Sequence, residues 1–212
     1  GWMLGIPVTK LAGAVEKGMG DTLGSLTAVI MMGAMLGKLV AESGAAQQIA
    51  SSLMKTFGVK YIQWALMVTG FVIGIPLFYN VGFVLMVPLI FSVAYQYKLP
   101  AVYIGLPMLA SLSVTHGYLP PHPAPAALVK QFNANMGLTL LYGLAVAIPA
   151  IIIAGPIFAK TLKKIVAKPL QTFQQELIPE EKLPGLGNSL FSSLLPVVLL
   201  IATTILPLMI PQ

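Results

Sequence analysis

The chain has 212 residues, 57% of them hydrophobic and only 8% charged, with a formal net charge of +6. At a mean hydropathy of +0.89, this composition excludes an ordinary water-soluble domain and marks an integral membrane chain. Every basic residue is a lysine at the end of an apolar run rather than in an aromatic-interleaved stripe, which excludes a nucleic-acid surface; the lack of cysteine excludes disulfides and thiolate chemistry.

Runs without Asp, Glu, Lys or Arg cover 22–37, 61–97, 99–129, 131–159 and 183–212. All but the first exceed the about 20 residues of one helical crossing, so several must fold back or break. The chain opens at Gly1 and Trp2 without methionine and stops in an apolar run, so it is expected to be a piece of a longer protein, with Trp2 at interfacial depth. No signal-peptide pattern is visible. Residues 9–19, with Lys10, Glu16 and Lys17, predict a short polar helix, and Gly18 to Thr22 a turn and helix start. Residues 22–40 follow as a span in which Gly24, Ala28, Gly33 and Gly37 predict close packing on another helix, and Lys38 and Glu42 mark its exit.

Residues 44–58 gather Ile49, Leu53, Met54 and Phe57 on one face, with Gln47, Gln48, Ser51, Ser52 and Lys55 around the rest. The segment is too polar to span; it suits a helix lying at the interface, with a soluble loop helix as the alternative. Residues 61–97 place Gly74, Pro76 and the stretch 78–82 near their centre and predict a hairpin with its tip near Asn80, either re-entrant or of two full spans.

Residues 100–115 predict a first half-helix, 115–123 an open segment and 124–133 a second half-helix. Proline has no amide donor and its ring clashes with the preceding turn, so Pro120, Pro121, Pro123 and Pro125 stop any helix there. Open backbone at membrane depth costs several kcal/mol per unsatisfied group unless it is buried in protein or lines a polar cavity. The break therefore predicts a site of the kind that secondary transporters build near the bilayer midplane.

Residues 137–159 cross back, Lys160, Lys163, Lys164 and Lys168 follow, then a polar loop with Glu176, Glu180, Glu181 and Lys182, and a last span over 189–210 kinked at Pro196. This parity gathers Lys38, Lys55, Lys60, Lys98 and the 160–168 lysines on one face, which is cytoplasmic by the positive-inside rule, and leaves Lys130 and the Lys10–Asp21 group on the other.

Thr115 to Pro125, read as Thr-His-Gly-Tyr-Leu-Pro-Pro-His-Pro-Ala-Pro, resembles the signature of the gluconate:proton symporter family of bacterial inner-membrane permeases. The stretches 20–26, 32–38, 78–85 and 140–143 are similar to the family in the expected order, so the resemblance covers nearly the whole chain. It implies uptake of gluconate or a related small hydroxy-acid or amino-acid anion with protons, without a cofactor, by a multi-pass inner-membrane protein of two inverted repeats. Each repeat would hold a hairpin and a broken helix. The chain would then be an all-α partial transporter domain over 1–212, mainly the first repeat, with a cytoplasmic loop at 160–188. Its implied partners are the bilayer, the anion, protons and the missing C-terminal half, and a homo-oligomer is left open. One departure stands out: gluconate permeases of the family carry Glu where this chain has Asn80, and an amide takes up no proton.

An imidazole with a reference pKa of about 6.5 can carry a proton or, once protonated, pair with a carboxylate, which makes His116 and His122 candidates; alternatively each donates a structural hydrogen bond to freed carbonyls. Asn80, Ser113 and Thr115 are candidates for binding substrate hydroxyls or carboxylate, against the habit of Ser and Thr of bonding their own backbone. The half-helix starting near Ala124 would point its positive end at the anion. Gly117, Pro120, Pro121 and Pro123 shape the break. Two histidines separated by a Pro-Pro kink, with no acidic neighbour, supply no third metal ligand. A secondary transporter is the expectation and a membrane-embedded structural or assembly subunit the alternative; an enzyme is disfavoured by the lack of acidic residues in the apolar runs and of a phosphate-binding loop.

Overall fold

The computed structural model describes residue 5 and residues 7–165 and 178–209; the expectations at Trp2, Lys168 and Glu176 lie outside them. The described residues form an all-helical bundle: α1 (Val8–Glu42), α2 (Ala45–Phe57), α3 (Ile62–Gly74), α4 (Tyr79–Tyr97), α5 (Ala101–Tyr118), α6 (Pro123–Gln131), α7 (Met136–Ile152) and α8 (Leu186–Met209). Met136–Leu162 (27 residues) and Leu186–Leu206 (21 residues) are each long and apolar enough to cross a membrane. Two bent pairs, Thr9–Gly24 with Leu26–Glu42 at 45° and Ala45–Phe57 with Val59–Gly74 at 110°, raise the number to four if each is one span. The 13 residues of α3 reach only about 20 Å, short of the about 30 Å of a hydrocarbon core, so this arm of the hairpin cannot cross alone.

Several boundaries differ from expectation. No turn forms at Gly18 to Thr22; α1 runs through it, and Thr22 Oγ1 bonds back to Gly18 O at 2.8 Å instead of capping a new helix. A glycine inside a helix costs about 1 kcal/mol, which a long helix absorbs. The hairpin turns at 75–78, so Asn80 lies in the first turn of α4 and not at the tip. The proline break is shorter than expected: α5 continues through Thr115, His116 and Gly117 to Tyr118, and only 119–122 are open. Proline disturbs the turn before it, and α5 ends two residues ahead of Pro120. The last helix begins at Leu186 and stays one helix through Pro196.

Amphipathic α2 buries Ala45, Ala46, Ile49 and Ala50 in a core that includes Leu66, Ile73, Leu77, Met86, Ile104 and Met108. Its apolar face is thus covered by protein. Its polar side holds the segment before α8: Gln47 Nε2 donates to Ile178 O at 2.8 Å, Ile178 N donates to Gln47 Oε1 at 3.0 Å, and Lys55 Nζ lies 3.0 Å from Glu180 Oε2.

In an apolar bundle, helices associate through close backbone approach at small residues. That is how α3 meets α5. A Cβ added at Gly70 would strike the Met108 carbonyl, and one at Gly74 the Thr115 hydroxyl. Of the four small residues singled out in α1, Gly33 faces Phe78 and Gly37 faces Leu77, both in the hairpin turn, whereas Gly24 faces open space. Leu119, inside the proline break, belongs to a second core with Leu140, Ala147 and Val197.

The lysine-bearing ends lie together. Gln63 Nε2 donates to Tyr103 O at 2.8 Å and Lys163 Nζ sits 6.0 Å from the Tyr103 ring, which joins the starts of α3 and α5 to the end of the helical stretch Met136–Leu162. Gly137 and Thr204 meet at the other end of α7 and α8.

Gly70→Ala is expected to lower the thermal midpoint in detergent, because overpacking against a helix backbone costs about 1–3 kcal/mol. Gly20→Ala, with nothing within 4 Å of the new carbon, should hold or raise it. Equal midpoints for the two variants would refute the packing account.

Candidate functional site

Two helix breaks meet. Pro76 gives the ladder no N–H, and α3 stops at Gly74; Ile73 O still accepts from Leu77 N at 3.2 Å, but Gly74 O has no donor within its own helix. In the other break, Leu119 N donates to Thr115 O at 3.1 Å and His122 N to Leu119 O at 3.1 Å, while Pro120 and Pro121, joined by a cis peptide, have no N–H to satisfy. No amide donor is therefore stranded between 119 and 122. The prolines that end the helix also remove the groups whose burial would be costly.

His122 connects the breaks. It is buried, and its Nε2–H donates to Gly74 O at 2.9 Å, capping the end of α3 from a position far along the chain. The His116 ring lies 4.8 Å from that of His122, centroid to centroid. The Phe78 ring in the hairpin turn lies 6.1 Å from each of them. His116 Nδ1 is buried with no hydrogen-bond partner among the described residues, an arrangement rare enough in folded proteins to require an explanation.

The other predicted residues are placed differently. Thr115 is fully buried, and its hydroxyl donates to the carbonyls of its own helix, Ser111 O and Leu112 O, each at 3.0 Å. Ser113, His116 and Gly117 form one stripe of α5 by their spacing, with Ser113 and Gly117 exposed. Asn80 is exposed and lies about 200° round α4 from Gly82, which faces Leu112 of α5. Pro120 is buried, whereas Pro121 and Pro123 are half-buried.

The start of α6 is poor in donors, since Pro123 and Pro125 have none and Ala126 N is bonded to His122 O at 3.0 Å. Only the Ala124 amide is left in that turn. The first turn of α4 instead offers the amides of Tyr79, Asn80 and Val81, with Gly82 N bonded to Phe78 O. Sequence reasoning placed Gly74 and Phe78 at the hairpin turn but missed their part in the site. The signal was available: each break frees carbonyls that need a donor, and His122 is one of two imidazoles nearby.

Two interrupted helices joined at a buried polar junction within apolar helices define a polytopic membrane protein of the discontinuous-helix kind. The model of the GntP family permease matches residues 1–212, and the chain belongs to that family. It is 49% identical over 214 residues to a high-affinity gluconate transporter of Escherichia coli K12. It is 44% identical over 213 residues both to the Gnt-II system L-idonate transporter of that strain and to a gluconate permease of Bacillus subtilis 168. These alignments cover 100%, 100% and 97% of this chain but 49%, 48% and 48% of the relatives, so the chain spans about half the length of the curated relatives it matches. No solved structure matches it. Family membership and the spanning helices make it a multi-pass protein of the bacterial inner membrane.

Thr115→Val is expected to change stability by less than about 1 kcal/mol, because the carbonyls that its hydroxyl bonds lie within a helix that supplies its own donors. Thermal unfolding checks this; a larger loss would mean that the hydroxyl supports more than its own turn.

Proposed function

We propose that the full-length protein takes up gluconate or a related small hydroxy-acid or amino-acid anion together with protons, as a secondary transporter. The carrying observation is the junction of two helix breaks with the unpartnered His116 nitrogen beside it, in a chain whose relatives are named for gluconate and L-idonate. A polyhydroxy carboxylate requires several neutral donors and acceptors and a compensating positive dipole or charge. Asn80, Ser113 and the first-turn amides of α4 supply the former, and His116 is the group that takes and releases the proton. Thr115 supports the helix and does not contact the anion.

The present chain forms one repeat of an inverted pair, and the remaining half of the protein completes the cavity. Residues 163–165 and 178–185, between the helix that ends at Leu162 and α8, lie on the cytoplasmic side together with Lys38, Lys55, Lys60, Lys98 and Lys160.

Full-length protein in energised membrane vesicles is expected to accumulate labelled gluconate and to lose it when a protonophore collapses the gradient. His116→Gln should abolish pH-driven accumulation while gluconate exchange survives, because exchange needs no net proton movement. Full proton-driven uptake by that variant would remove His116 from the mechanism. For orientation, a cysteine at Lys164 should react with an impermeant maleimide only from the cytoplasm and one at Lys130 only from the opposite side; reaction of both from one side would break the topology.

A further inference from the structure

We infer that His122 is a positioning residue, which holds the α3–α4 break in the shape that receives the anion by capping the Gly74 carbonyl, and neither touches the anion nor carries the coupled proton. The inference rests on the transport reading above. A carbonyl oxygen only accepts, so the bond at 2.9 Å exists only while His122 Nε2 keeps its proton. That nitrogen is committed to the backbone 48 residues away, and the ring is 3% exposed.

What the bond holds is the hairpin turn. Gly74 closes α3, and its packing against Thr115 leaves no room for a side chain. Leu77, fully buried, follows three residues later and packs on Gly37 of α1. Phe78 then lies against both imidazoles, and α4 begins at Tyr79 with the free amides of its first turn. The turn has no backbone ladder of its own beyond Leu77 N to Ile73 O and Gly82 N to Phe78 O. Its position is therefore set from outside, by the contacts at Gly33, Gly37 and Gly74, by the burial of Leu77 and, as its one polar tie to another element, by the His122 bond. The two histidines thus divide the work: His122 has its donor engaged, whereas His116 keeps a free nitrogen.

Loss of the bond should depopulate the competent turn. If the competent fraction falls to about a tenth, the apparent KM rises about tenfold while the maximal rate is kept, because substrate binding restores the missing population. A group that carries the proton would instead lose accumulation and keep exchange.

The test uses full-length protein with Leu77→Cys as its sole thiol, comparing His122→Phe, which keeps the ring and removes the donor, with His122→Gln, whose amide can reach the same carbonyl. His122→Phe is expected to raise the gluconate KM about tenfold with Vmax within about twofold, and to speed maleimide labelling at position 77 about tenfold. His122→Gln should bring both back to within about threefold of the parent. The proposal is overturned if His122→Phe leaves KM and labelling unchanged, if it abolishes pH-driven accumulation with exchange intact, or if inserted His122→Gln is as impaired as His122→Phe. Should His122→Phe fail to insert, His122→Gln decides alone, near-parental labelling and KM supporting the clamp and their loss overturning it. Absence of uptake by the parent would fail the transport reading, and the labelling comparison would still decide the clamp.

Discussion

A peptide group that leaves its helix inside an apolar bundle must find another partner, and that requirement organises this structure. An unpaired backbone group in such surroundings costs several kcal/mol, comparable with the whole margin by which domains stay folded. The chain meets the requirement in two ways. At 119–122 two of four residues are prolines with no donor, and the remaining amides bond to Thr115 O and Leu119 O. At the end of α3 the freed Gly74 carbonyl takes its donor from His122, in the other break. The same bond that satisfies one interruption ties it to the second.

The close approach of the two breaks has its own physical source. With lipid as apolar as leucine, burial alone does not select a helix partner; backbone proximity at small residues does. Gly70 and Gly74, one turn apart, let α3 lie against Met108 and Thr115 of α5, and Gly82 admits Leu112. Thr115 fits this contact because its hydroxyl bonds inward to its own helix. Thr115, one of the candidate ligands by its place beside His116, thereby presents a packing surface to Gly74.

The helices and the existence of both breaks were legible in the sequence because proline and charge-free length act locally. Pro76, Pro120 and Pro121 stand in the two breaks and Pro123 opens α6, whereas the isolated Pro88 and Pro107 are absorbed inside helices, and the lysines mark the ends. Less legible were positions set by tertiary contact. Gly18 and Gly20 read as a turn, yet α1 runs through them, because propensity is a weak prior within a long helix. His116 and Gly117 read as open backbone, but α5 reaches Tyr118 before Pro120 takes effect. Helix α2 had an apolar face fit for lipid or protein; that the cover is protein, with Gln47 and Lys55 holding 178–180 on the other side, depends on partners far along the chain. Donor depletion at the start of α6 was visible in Pro123 and Pro125, and it leaves more free first-turn amides at α4 than at α6.

The two breaks differ in what they can offer, not in whether they are anchored. The proline break closes on itself through two backbone bonds, and Leu119 fixes it to the core shared with Leu140 and Val197. The hairpin turn is fixed likewise by Leu77, fully buried in the larger core, and by the bond from His122 to the Gly74 carbonyl. Moving either break would open a core, and the loss of a buried leucine's contacts costs about 2–5 kcal/mol. What separates them is the supply of donors: the first turn of α4 keeps the amides of Tyr79, Asn80 and Val81 free, whereas in the proline break Pro120 and Pro121 have no N–H and the two remaining amides are bonded. The break that uses its donors on its own backbone therefore acts as the closed side of the junction, and the one that begins a helix as the open side.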